Sequence, residues 1–164
     1  GSDSEQLIVR PKDVYDGAIP SGNSVATMNF LRLSRLTGDT ELEDKAHEQL
    51  STFAGIIKEH PTGYAHMLMA LFFVNSKARG GVIVGDREKK EFKSMLDILN
   101  KNFLPYTVVI VKDAEAVESE LTDIAAFTEG QLMIDDKVTA YVCENFACMA
   151  PVTDLVKFKD IVIT

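Results

Sequence analysis

The sequence has no tryptophan, three histidines and only two cysteines in 164 residues. Two cysteines cannot build the multi-bridge framework of small secreted domains, so a reducing, cytoplasmic setting is expected. Long apolar runs are missing too. The most apolar stretch, 67–74, falls far short of the ~20 residues that span a bilayer and reads as a buried helix, so no membrane partner is expected. Basic residues are scarce: 17 Lys and Arg stand against 25 Asp and Glu, a formal net charge of -8. Phosphate-binding surfaces need clustered Lys and Arg, which makes nucleic acid a poor partner. The short basic runs Lys89-Lys90 and Lys157-Phe158-Lys159 read as solvated faces. The amino end is polar and acidic and reads as neither a secretory leader nor an anchor; Gly1-Ser2 reads as a vector remnant and is left aside.

Several chemical signatures are absent as well. A dinucleotide fingerprint places G-x-G-x-x-G after a strand so that backbone amides can approach a pyrophosphate. In Gly80-Gly81-Val82-Ile83-Val84-Gly85-Asp86 only Gly85 follows the β-branched run, and no P-loop lysine is present, so the segment reads as a strand closed by a tight turn. There is no Ser-His-Asp order and no nucleophile elbow. Cys143 and Cys148 are spaced C-x4-C, which is neither the C-x-x-C of redox motifs nor a zinc-knuckle pair, and all three histidines lie in the first half. No metal and no cofactor is expected. At the end of a strand followed by a turn, the two sulfurs could meet as a reversible disulfide. In the apolar setting of Val142, Phe146 and Ala147 they also read as packed thiols, and the reduced state is the expectation.

What is present is ordinary for a globular domain: 46% apolar and 26% charged residues. The first half reads as helices. Residues 24–37 carry Val25, Met28, Phe30, Leu31, Leu33 and Leu36 over more than half the circumference, which implies neighbours on two sides, and Gly38 is placed to stop the helix. Thr40 and Glu43 have capping-box spacing ahead of the stripe Leu42, Ala46, Leu50, Phe53 and Ile57. Pro61 opens a third helix running to about Ser76 with almost no polar face. From Gly80 the character changes. The run 82–84, a helix over 87–101 and the run 107–111 predict a βαβ unit with parallel strands, and 138–142 offers a third strand. An irregular acidic stretch over 115–129 holds a short helix near 121–127, and Thr153 or Asp154 caps a closing helical turn. The division falls at 1–79, helical, and 80–164, α/β.

Two stretches are more specific. Asp16-Gly17-Ala18-Ile19-Pro20-Ser21-Gly22-Asn23-Ser24 leads into a helix ending Leu36-Thr37-Gly38-Asp39, and Tyr141-Val142-Cys143-Glu144-Asn145-Phe146-Ala147-Cys148-Met149-Ala150-Pro151-Val152-Thr153-Asp154 follows much later. Together they resemble the C-terminal region of the spermatogenesis-associated thioredoxin-like family, over nearly all of the chain. That resemblance implies a parent with a thioredoxin-like domain, then a helical toroid similar to six-hairpin glycosidases, then a small α/β tail. The fold it implies is mixed α+β and α/β: a three-helix segment of an α/α toroid packed on a small unit with a short, mainly parallel sheet. It supplies no defined reaction, and whether the chain is part of an enzyme stays open.

In such a toroid Asp16, Ser21 and Asn23 would line the cavity with Tyr64 and His66 and could hydrogen-bond a sugar. On their own chemistry they are a turn and helix caps, because glycoside hydrolysis needs paired carboxylates and the loop supplies only Asp16. The favoured function is a structural and interaction portion without a complete active site. The alternatives are a carbohydrate-type site shared with the parent, and a thiol-redox element at Cys143 and Cys148. The expected partners are the parent's toroid and thioredoxin-like domain. Missing hairpins would bare Val25, Met28 or Phe30, to be covered by Leu7-Ile8-Val9, by the α/β half, or by a second copy in a homodimer.

Overall fold

The computed structural model describes residues 12–114, 119–144 and 146–163. Three helices open the chain: α1, Gly22–Thr37; α2, Thr40–Glu59; and α3, Ala65–Asn75, entered through a 3-10 turn at Pro61–Gly63. Gly38 ends α1 in the left-handed region at φ 78°, with its N–H on the Ser34 carbonyl, a conformation that strains any side-chain-bearing residue. The capping box expected at Thr40 and Glu43 does not form. Asp39, one residue earlier, accepts the Glu41 N–H, and Glu43 instead pairs with Arg35. Met28, Leu31, Ala46, Leu50, Ile57, Met67, Ala70 and Phe73 form the helical core, completed by Val14 and Ala78.

The second half is β1, Arg79–Gly85; α4, Lys90–Lys101; β2, Thr107–Asp113; α5, Ser119–Ile124; β3, Thr139–Glu144; β4, Ala147–Cys148; and α6, Leu155–Ile163. The sheet order is β2-β1-β3-β4. β1 and β2 are parallel, as the βαβ pattern predicts, while β3 joins β1 antiparallel and β4 joins β3 antiparallel. The sheet is therefore mixed, and the expected parallel character holds only for β1 and β2. The tight hairpin makes β4 antiparallel to β3, and β3 is reached from β2 through only the short α5 and a 3-10 turn, without a long crossover helix that would return it parallel to β1.

Alternation on β1 explains the layers. Ile83 packs with Phe92, Met95, Phe158 and Val162 from α4 and α6. Gly80 faces the other way, where a Cβ would lie 3.5 Å from the Arg35 carbonyl of α1. α1 thus lies between the other two helices and the sheet. The expectation that α1 is bared therefore holds only in part, with the α/β half covering one side of the helix. Met28 is buried at 4% exposure, although Val25 remains 37% exposed. The uncovered helix is α3, with Met69, Leu71 and Phe72 in solvent. The candidate cover Leu7-Ile8-Val9 lies outside the described residues.

One buried cation secures the long connection before β3. Lys112 Nζ donates to the carbonyls of Thr128 (3.0 Å) and Gln131 (3.3 Å). Lys112→Met keeps the stem but loses these charge-assisted bonds, and should destabilise the chain by about 2 kcal/mol. Urea unfolding with an unchanged slope would read this directly.

Candidate functional site

The loop before α1 and the start of α3 meet at Asp16. Its backbone N–H donates to the Gly63 carbonyl at 2.8 Å, which fixes the loop against the 3-10 turn. Its Oδ1 accepts the Ser21 N–H at 2.8 Å, and its Oδ2 accepts the N–H groups of His66 at 2.9 Å and Met67 at 3.0 Å. These last two are first-turn donors of α3, which the helix cannot satisfy itself. No residue of α3's own lead-in caps it: Tyr64, at the N-cap, makes no side-chain bond. Asp16 is the cap, delivered from about 50 residues away along the chain.

Burial works to raise the Asp16 pKa. The N–H groups of Ser21 and Met67, the Ser24 hydroxyl and the His66 N–H outweigh it and hold the carboxyl below the usual carboxylate range. Because the folded pKa is depressed, the stabilisation is complete above the unfolded value of roughly 3.9 and is lost as pH falls through the folded one.

Of the five candidate residues, hydrogen bonds join Asp16, Ser21 and His66, while Asn23 and Tyr64 make their contacts with Asp13 and Tyr15. Ser21 caps α1, its Oγ accepting the Ser24 N–H at 3.1 Å and lying 2.8 Å from Ser24 Oγ. Asn23, a candidate helix cap on its own chemistry, donates its amide to the Asp13 carbonyl at 2.6 Å instead. Tyr64 is buried edge-on against Tyr15, with ring centroids 6.1 Å apart. His66 reaches Asp16 through its backbone rather than its ring. Among the described residues no three of His, Cys, Asp and Glu come together to hold a metal, and no helix is long and apolar enough to cross a membrane.

The second locus is the hairpin of β3 and β4. Cys143 and Cys148 face each other across it and are joined by a disulfide, which overturns the expectation of two reduced thiols. The signal was the turn itself. Pairing of Glu144 with Ala147 leaves a two-residue loop, so C-x4-C places the cysteines directly opposite. In that loop Phe146 has φ 63°, a conformation rare for a bulky residue. Its ring lies over the Arg35 guanidinium, 4.1 Å from centroid to Cζ.

Arg35 itself is nearly buried and donates to both Glu43 oxygens at 2.8 Å. Sequence reasoning missed Arg35, Lys112 and Gln131. Arg35 could have been found: it falls four residues after Leu31 and seven after Met28, so it stands on the buried stripe of α1. Nothing in the sequence marks Gln131.

No family model and no solved structure matches the chain. It is homologous to a portion of spermatogenesis-associated protein 20: 36% identical to the human protein and 34% to the rat protein, over 90% of the chain in each case. An uncharacterized protein of Caenorhabditis elegans is 26% identical over 96% of the chain. The chain spans about a fifth of the length of these relatives (19%, 19% and 21%).

Proposed function

We propose that the chain is a structural and interaction portion of a longer protein, in which its helices continue a toroid-like helical array and α3 is the joining face. The observation that carries this is the uncovered side of α3. Met69 is 47% exposed, Phe72 62% and Leu71 41%. Burying each large apolar side chain is worth about 1.5–3 kcal/mol, so a cluster of them favours a cover. The rest of the longer chain is that cover; alone, a second copy takes its place.

Light scattering at micromolar concentration should find the chain associated and the double variant Met69→Gln, Phe72→Ser monomeric and still folded, its melting temperature lower only by the lost association. A chain that is monomeric with the native residues in place counts against the reading. The carbohydrate alternative is weakened by Asp16, whose two oxygens already accept three backbone donors.

A thiol-redox element is a second reading, favoured by the bond between Cys143 and Cys148 and by the exposure of Cys148 at the sheet edge. A dithiol partner would donate two electrons and two protons, leaving two thiols here and a disulfide on itself. Thiol titration of the unfolded chain should count none before reductant and two after it. Two free thiols in oxidised, untreated protein would remove this reading.

A further inference from the structure

The disulfide of the hairpin joins two cysteines in unequal positions. β3, which bears Cys143, is paired on both sides: Cys143 has Gly80 of β1 opposite it on one and Cys148 of β4 on the other. β4 pairs with β3 alone among the described residues and ends the sheet. Cys143 is accordingly buried at 8% exposure, whereas Cys148 is exposed.

Directly opposed residues of paired strands project from one face, so both cysteines stand on the face where Gly80 meets α1. There the helix lies close, since a Cβ on Gly80 would come within 3.5 Å of the Arg35 carbonyl. A thiolate attacks one sulfur of a disulfide from the side away from the sulfur that leaves, so access decides which of the two is taken. For Cys143 that side is β1, with α1 above it. For Cys148 it is the edge of the sheet. Opening the bond from the edge also leaves β3 paired with β1 along its whole length, so Cys143 keeps its place.

We propose, resting on the thiol-redox reading, that Cys148 is the sulfur attacked by a partner's thiolate and bears the mixed disulfide, and that Cys143 is the buried resolving thiol. In the first step Cys148 bonds to the partner's sulfur, the Cys143–Cys148 bond breaks, and Cys143 leaves with the electron pair and takes a proton. With a dithiol partner, the partner's second thiolate attacks its own sulfur in the mixed disulfide and releases Cys148. Two electrons and two protons have then arrived here, and the partner holds the disulfide. With a monothiol, Cys143 attacks the Cys148 sulfur opposite it, expels the monothiol and restores the bond.

Brief exposure of the oxidised intact chain to mercaptoethanol, then acid quench and tandem mass spectrometry, reads which cysteine carries the adduct. At least about tenfold more on Cys148 than on Cys143 is expected. The free thiol left in Cys143→Ser should also react with dithiodipyridine, a small disulfide, at least about tenfold faster than the one left in Cys148→Ser. In urea, where both thiols are open to solvent, the two rates should agree within about twofold. A variant that fails to fold shows its urea rate without urea, and the adduct on the native chain then decides.

Adduct on Cys143, adduct shared equally, or none at all overturns the proposal, as do equal or reversed rates in folded variants. Adduct on Cys143 would mean that thiols enter through the cleft of about 270 Å³ that borders both cysteines, and would leave the thiol-redox reading standing. Two free thiols in the oxidised chain would remove that reading and the proposal together.

Discussion

Asp16→Ala is expected to destabilise the chain by about 3 kcal/mol, a large effect for a half-buried residue in a loop. The Asp16 carboxylate accepts three backbone N–H groups, two of them at the start of α3. Removing it leaves those donors without a partner and frees the loop from the helix. Asp16→Asn should lose somewhat less, because one amide oxygen still accepts while the NH₂ faces an N–H. The pH dependence separates this from generic damage. The native chain should lose stability as pH falls below the ordinary carboxylate range, in step with protonation of Asp16 at its depressed pKa, and Asp16→Asn should lose that component of the acid sensitivity. Denaturant unfolding at neutral and acidic pH is the check. An Asp16→Ala variant as stable as the native chain would mean that the carboxylate is not the cap.

Glu43→Ala should be about as damaging, near 3 kcal/mol. Arg35 is buried, with its side chain only 6% exposed, and Glu43 supplies its two-pronged partner at 2.8 Å. Truncating the acid strands a guanidinium under α1, where water reaches it poorly. Removing the charge itself is gentler. Arg35→Met retains the apolar stem that crosses the core and leaves Glu43, the more exposed partner, to solvent, so roughly 1–2 kcal/mol is expected. The order of the two variants is the informative part. Equal small losses would indicate a solvated surface pair rather than a buried one.

Much of the architecture was legible because periodicity survives folding. The stripe of α2, the stop at Gly38 and the parallel pairing of 82–84 with 107–111 follow from residue spacing, whereas on α1 Met28 and Leu31 are buried beside Ser24, Thr27, Ser34 and Arg35 while Val25 and Leu33 are exposed. What the pattern could not give was direction after a long irregular connection. The run at 138–142 reads as a strand in either orientation, and only its pairing with β1 shows it to be antiparallel. The site was legible in part. Of Asp16, Ser21, Asn23, Tyr64 and His66, three are joined (Asp16, Ser21 and His66), and they are joined through backbone donors that no sequence pattern displays. Asn23 was misplaced as a cap because Ser21, two residues earlier, already has the extended backbone that an N-cap needs. The cysteines were assigned by the general behaviour of apolar thiols, where the decisive quantity was the length of one turn.

The joining role of α3 can be tested without knowing any reaction. Hydroxyl-radical footprinting of Met69 and Phe72, half-exposed or more in this chain, would be run on the monomeric chain at dilution and on the longer protein containing it. Several-fold slower oxidation of both residues in the longer protein is the expected result. Equal rates in the two would contradict the assignment of α3 as the face that joins this portion to the rest.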